Sequence, residues 1–388
     1  MAETRLPHWT IGAALALVAT AVAAEPMGEA TRHVSTVGGH ERTFIEYVPK
    51  SLKPGAPLLF VLHPSGGDAA SMRQYSNYEF DVLADKHGFL VVYPDGFDNT
   101  WNDCRGGSPF SSKRLKIDDA GFIKSLLNHE VTAHAVDRKR VFAAGWSNGA
   151  QLAYRLALEY PEDFAGVAAI SASVPVKENL DCGQVDKPIP VMIVNGTADP
   201  INPFRGGMVN LGGAKLGNVL SSEDTAKYWA KLLGVTAPPQ IATLSHKGGR
   251  TSVDSMTWVK DGTPVVILYS VQNGGHAMPL EGEDLDSPVV IWDFFSKLPS
   301  RLRPAIARTP IFHSVARLCS GALTPAQLRV PERRSAASRV APDRPSCEHV
   351  DHALFDRMMH RHVSDATAES ATSARSVPVR EVASDLPT

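Results

Sequence analysis

Between residues 25 and 300, short and nearly continuous apolar runs alternate with stretches of helical periodicity. Arg42–Val48, Pro57–His63, Phe89–Tyr93, Arg140–Gly145, Phe164–Ile170, Ile189–Asn195 and Pro264–Val271 read as strands. Most are unbroken in Val, Leu, Ile and Phe, the pattern of parallel strands covered on both faces. Ile117–Val136 sets Phe122, Leu126, Leu127 and Val131 at helical spacing. Asp224–Leu233 repeats that logic with Tyr228, Trp229 and Leu232, and Val289–Leu298 with Val290, Trp292, Phe294 and Phe295. This alternation predicts one α/β domain over residues 25–300, with a mostly parallel sheet and helices on both faces.

The two ends follow other patterns. Ile11–Ala24 is an uncharged apolar run after Arg5, closing on Val22-Ala23-Ala24. A basic start, an apolar middle and small residues at the cut predict a signal peptide over residues 1–24. The run is too short to span a bilayer comfortably, so no stable membrane association is expected after cleavage. Beyond residue 300 the last 88 residues hold thirteen Arg, no Lys, no Trp and no Tyr. With so little to bury, residues 301–388 are expected to be a disordered extension rich in Arg, Pro, Ala and Ser. Within it His352–Val363 could form one short helix, and the His360/His362 spacing falls far short of a metal signature.

Charge then narrows the function classes. The whole chain of 388 residues carries a net −2, which argues against a nucleic-acid partner. The tail is the exception within it: thirteen Arg against nine acidic residues.

The most informative stretch is Arg140 to Gly149, an apolar strand running into Gly145-Trp146-Ser147-Asn148-Gly149 with a helix-forming segment behind it. A Ser on a sharp strand-to-helix turn needs small neighbours where the backbone crosses itself, and the turn lifts its hydroxyl above the sheet. Ser147 is the expected nucleophile, and the Asn148 N–H at the helix start an expected oxyanion donor. A serine nucleophile needs a base and a group to orient it, in the chain order Ser, acid, His. Asp199 follows the strand that ends at Asn195, and His276 lies in a Gly-rich loop after Val271. Asp254 and Asp284 are alternates for the acid. His129, His134 and His246 are weaker bases, lying on a helix or ahead of the last strand. The second oxyanion donor belongs to the loop after an early strand, here His63-Pro64-Ser65-Gly66-Gly67. Pro64 has no N–H, which leaves Ser65.

Taken together, His63-Pro-Ser-Gly-Gly, Tyr93-Pro-Asp-Gly, Trp101-Asn-Asp-Cys-Arg, Asp118-Asp-Ala-Gly-Phe, Val136-Asp-Arg-Lys-Arg-Val, the Ser147 pentapeptide, Asn195-Gly-Thr-Ala-Asp199-Pro and Gly275-His276 form an ordered series. The series resembles the polyhydroxybutyrate depolymerase and feruloyl or acetylxylan esterase group over residues 30–300. The resemblance implies an α/β-hydrolase, secreted or periplasmic, that cleaves carboxylic esters with Ser147, Asp199 and His276. It implies no cofactor and no metal. The expected partner is an ester substrate, either a polyester oligomer or an esterified plant phenolic or polysaccharide. Pro64 stands where that group usually has Gly, and Trp146 where a smaller aliphatic residue is usual.

The loops holding Cys104 and Cys182 are expected above the same sheet edge, which predicts a disulfide between them; Cys319 and Cys347 lie in the tail with no partner assigned. Trp101 and Trp146 are expected to face substrate, although an aromatic at Trp101 serves a core equally well. Asp118 or Asp119 is expected to cap the long helix. Two rivals to hydrolysis remain: an acyltransferase using the same three residues, and an exported binding protein on the same scaffold.

Overall fold

A computed structural model describes residues 25–183, 187–244, 252–280, 283, 285–300 and 380–383. The expected signal peptide and most of the expected tail, with Cys319, Cys347, His360 and His362, lie outside the described residues, as do His246 and Asp284.

The chain opens with a hairpin of β1 (Glu29–Val37) and β2 (His40–Val48), then β3 (Leu58–Leu62), α1 (Ala69–Tyr75), α2 (Glu79–His87) and β4 (Leu90–Pro94). A short α3 (Ser111–Arg114) precedes the long α4 (Asp119–His134), β5 (Val141–Trp146), α5 (Asn148–Glu159), β6 (Gly166–Ile170) and β7 (Val191–Gly196). A separate hairpin, β8 (Gly207–Leu211) with β9 (Ala214–Val219), leads into α6 (Ser222–Leu232). The remaining elements are β10 (Gln240–Leu244), β11 (Val253–Lys260), β12 (Thr263–Val271), α7 (Ser287–Lys297) and β13 (Arg380–Ala383).

Eleven of these strands form one sheet in the order β10-β11-β12-β7-β6-β5-β3-β4-β2-β1-β13. The six from β12 to β4 are mutually parallel, while β11 and β10 on one side and β2 and β1 on the other run antiparallel to their inner neighbours. This is an α/β-hydrolase fold, as expected. β13 adds a strand parallel to β1, from a segment to which sequence pattern assigned none.

Alternation along the buried strands divides the core in two. Leu58, Phe60 and Leu62 pack with Phe122, Leu126, Leu152, Leu156 and Trp229 from α4, α5 and α6. Leu59 and Val61 face the opposite layer with Met72, Phe80, Ile291, Phe294 and Phe295 from α1, α2 and α7. Each such Leu or Phe contributes about 1.5–3 kcal/mol by leaving water. No helix among the described residues is long and apolar enough to cross a membrane.

The two acids before α4 part ways. Asp118 is its N-cap, accepting the Gly121 N–H at 2.8 Å. Asp119 is buried and binds the Arg42 guanidinium at 2.7 Å and the Asn102 N–H at 2.7 Å, which ties the 101–105 loop to α4. Burial pushes the Asp119 carboxyl above its ordinary range, against the pull of Arg42.

Candidate active site

Parallel strands deliver their following loops to one edge of the sheet, and β5, β7 and β12 bring Ser147, Asp199 and His276 together there. Ser147 caps α5 with φ 54° and ψ −112°, a strained turn for a residue with a side chain. The sharpness depends on its neighbours. A Cβ on Gly145 would come within 2.3 Å of the Gly149 backbone, and one on Gly149 within 2.3 Å of the Leu62 carbonyl oxygen. The Ser147 N–H donates to the Ile170 carbonyl at 2.8 Å, which holds the turn against β6.

The loops carrying the acid and the base are laced together. Thr197 and Ala198 donate backbone N–H groups to the carbonyls of Val271 and Gly274, each at 2.9 Å, and the Asn273 N–H donates to Thr197 Oγ1 at 2.8 Å. Gly196 permits this approach, since a Cβ there would meet the Gly274 oxygen at 2.2 Å. As a result Asp199 Oδ2 lies 2.7 Å from His276 Nδ1, and His276 Nε2 lies 2.9 Å from Ser147 Oγ. The other carboxylate oxygen of Asp199 accepts the N–H groups of Ile201 and Asn202 at 2.8 and 2.9 Å. The Asp199 carboxylate has no exposed surface. A buried carboxylate so placed fixes a proton on His276 Nδ1 and leaves the Nε2 lone pair facing the serine hydroxyl. The arrangement can take a proton from Ser147.

Of the alternates, Asp254 binds Thr243 Oγ1 at 2.6 Å and Gln272 Nε2 at 3.0 Å, with no contact to His276. His129 and His134 lie on α4, as expected.

The loop after β3 is held by His63, whose part the sequence left unread. Its Nδ1–H donates to the Pro64 carbonyl at 2.7 Å, while Nε2 accepts the Gly96 N–H at 2.8 Å. Complete burial lowers its pKa and keeps the ring neutral, as the accepting nitrogen requires. In that loop Gly66 and Gly67 donate to the carbonyls of Asn99 and Pro64. The N–H groups of Ser65 and Asn148 make no hydrogen bond among the described residues. The Asn148 side chain instead braces the neighbouring loop, accepting the Trp101 N–H at 2.8 Å and donating to Asp103 Oδ2 at 2.6 Å. Asp103 also holds the Arg105 guanidinium through Nε at 3.0 Å and through a second contact from Nη2.

Trp101 does not face substrate. Its ring is wholly buried, lies 4.6 Å from the His63 ring, and donates through Nε1 to the His63 carbonyl at 2.9 Å. It supports the loop from beneath because the Asn148 side chain pulls its backbone inward. Trp146 is also buried, edge-on to Tyr75 at 5.5 Å and 6.4 Å from the His276 ring. Its Nε1–H is buried without a hydrogen-bond partner. The Cys104–Cys182 disulfide is present, with Cα atoms 5.0 Å apart.

Residues 44–202 match the family model described as esterase PHB depolymerase. The chain is an α/β-hydrolase akin to the PHB depolymerase esterases, and it falls among the carboxylic ester hydrolases. An acetylxylan esterase of Coprinopsis cinerea is 28% identical over 284 residues, covering 64% of this chain and 68% of that protein. A feruloyl esterase B of Piromyces equi is 27% identical over 241 residues, covering 62% of this chain and 41% of that protein, so the chain spans less than half of the latter's length. Among solved structures, an acetyl xylan esterase from Aspergillus awamori aligns over 66% of this chain and 94% of its own, with 17% identity and a TM-score of 0.47.

Proposed function

We propose that the protein is a secreted serine esterase that cleaves carboxylic esters through an acyl-enzyme. Ser147 is the nucleophile, His276 the base and Asp199 the group that orients it. The observation that carries the reading is the chain of contacts from Asp199 Oδ2 to His276 at 2.7 Å and from His276 to Ser147 Oγ at 2.9 Å. As Ser147 Oγ attacks the ester carbonyl, its proton passes to His276 Nε2, and Asp199 stabilises the imidazolium. The N–H groups of Ser65 and Asn148 receive the oxyanion, an effect worth about 3–4 kcal/mol per donor in comparable sites. His276 then returns the proton to the leaving alcohol. Water repeats the attack on the acyl-Ser147 ester and releases the acid.

The substrate class follows from the relatives. The family description favours polyhydroxybutyrate-type polyester, and the feruloyl and acetylxylan esterases favour esterified plant polysaccharide as the second reading. Export is supported by the apolar segment ending at Ala24 and by a disulfide that a reducing compartment would not keep. In this reading residues 1–24 are a removed leader and 25–300 the catalytic domain. Hydrolysis of p-nitrophenyl acetate and butyrate by the protein beside Ser147→Ala tests the chemistry. The variant should lose about 10⁶-fold in kcat. Turnover in Ser147→Ala within tenfold of the parent would overturn the assignment. Product analysis with added glycerol separates hydrolysis from acyl transfer, and methyl ferulate, acetylated xylan and polyhydroxybutyrate sort the substrates.

A further inference from the structure

Toward the end of the sheet opposite Ser147, three side chains converge between the β1–β2 hairpin and α4. Glu46 comes from β2, and Glu130 and His134 stand one turn apart near the carboxyl end of α4. Their ligating atoms all lie within 4.8 Å of one another. α4 ends where the chain turns toward the start of β5, whereas Ser147 follows the other end of that strand.

The energetics of this cluster are unbalanced as it stands. The Glu130 side chain has no exposed surface, and its carboxylate oxygens have no nitrogen or hydroxyl donor at hydrogen-bond distance, only the Glu46 carboxylate, which Glu130 meets through a hydrogen bond only by taking a proton. Glu46, a second carboxylate, is itself only 5% exposed. Two buried carboxyl groups side by side repel, and an unpaired buried charge costs several kcal/mol. Burial, the charge of Glu46 and a hydrogen bond from the protonated carboxyl to Glu46 push the Glu130 carboxyl well above its ordinary range. A cation between them would remove both costs. The donor set suits one, because His134 Nε2 lies 2.7 Å from Glu46 Oε1 and 3.8 Å from Glu130 Oε2. These separations bracket the edge of about 3.3 Å expected for a tetrahedron with bonds of about 2.0–2.1 Å. His33 stands behind Glu46, its Nε2 3.4 Å from Oε2.

We infer that Glu46, Glu130 and His134 bind one divalent transition-metal ion, with imidazole and carboxylate donors favouring Zn²⁺. His33 is the outer partner that orients Glu46. Water completes the coordination. The ion clips the β1–β2 hairpin to α4, so it acts on stability and leaves ester hydrolysis untouched.

The test uses the full chain stripped with chelator and dialysed against zinc, beside Glu130→Gln and His134→Ala. Metal analysis should find one more zinc per chain in the parent than in either variant, which discounts binding by other histidines. At zinc a hundredfold above its Kd, the parent's thermal midpoint should rise by about 5 °C and the variants' should not. Cobalt substitution should give the visible bands of a tetrahedral site in the parent alone. The 23% exposed His134 makes its variant the safer one should Glu130→Gln fail to fold. Equal zinc content in parent and His134→Ala, or no midpoint shift in the parent, would overturn the inference and assign a proton to Glu130 in place of the metal.

Discussion

Replacing Asp199 by Asn isolates the one atom on which the proposed mechanism turns. The two carboxylate oxygens have different partners: one accepts the N–H groups of Ile201 and Asn202, the other faces His276 Nδ1 at 2.7 Å. An asparagine must therefore leave its carbonyl oxygen with the two backbone donors. Flipped, its NH₂ would point at both N–H groups and lose two hydrogen bonds of about 1 kcal/mol each, besides leaving buried donors unpaired. The NH₂ is thus turned to His276 and can only donate. His276 Nδ1 then becomes the acceptor and Nε2 carries the proton, so the ring cannot take one from Ser147. Holding the wrong tautomer costs about 10⁴ in kcat, close to 5.5 kcal/mol of barrier. The assay is kcat and kcat/KM for p-nitrophenyl butyrate at neutral pH, with circular dichroism to show that the fold is kept. A loss below tenfold in a folded variant would refute the role given to Asp199.

Three other outcomes follow from the packing. Gly196→Ala should keep the fold but separate the acid and base loops, since its Cβ would lie 2.2 Å from the Gly274 oxygen; a shift of about 1 Å should cost about 10²-fold in kcat, and unchanged kinetics would contradict the reading. Cys104→Ser opens a crosslink between residues 78 apart in sequence and should lower stability by about 2–4 kcal/mol, seen as a lower thermal midpoint that dithiothreitol reproduces in the parent. Asp81 is buried against Arg73 and Tyr93, and burial pushes its carboxyl up to about 6. The folded chain therefore holds that proton more tightly than the unfolded one. Its contribution to stability is complete below about pH 4 and is lost as pH rises to about 6, amounting to about 2–3 kcal/mol. Denaturant titrations from pH 4 to 6 should show that decline in the parent and a flatter profile in Asp81→Asn.

What could be read from the sequence is what local patterns decide. The seven strands read from the sequence appear as β2, β3, β4, β5, β6, β7 and β12, with ends within about two residues; the inner ones are nearly unbroken apolar runs because strands buried on both faces leave little room for polar positions. The meeting of Ser147, Asp199 and His276 was legible for a topological reason. Each follows a parallel strand, and parallel strands send their next loops to the same edge. The elements that escaped are those with mixed surfaces. β1 is largely half-buried, next to the outermost strand, and β8 and β9 form a Gly-bearing hairpin outside the main sheet. β13 pairs with β1 across more than three hundred residues of chain, and no periodicity predicts a partner at that range.

The site residues divide along the same line. A backbone demand such as the Ser147 turn leaves a signature in its own pentapeptide, since only Gly fits where Gly145 and Gly149 cross. The orientation of a ring leaves none. Trp101 lies two residues from Asp103 in a loop beside the site, and what buries it is the pair of hydrogen bonds between its own backbone and the Asn148 side chain, 47 positions on. The same holds for Glu46, which meets His134 across 88 residues. Sequence placed His134 on a helix, and it lies on α4, but nothing in the pattern announced that it would meet two buried carboxylates. Long-range polar clusters are therefore where structure adds most to function in this chain. Short motifs name the residues that must occupy special backbone, while buried charge without a local reason becomes visible only once the strands and helices are packed.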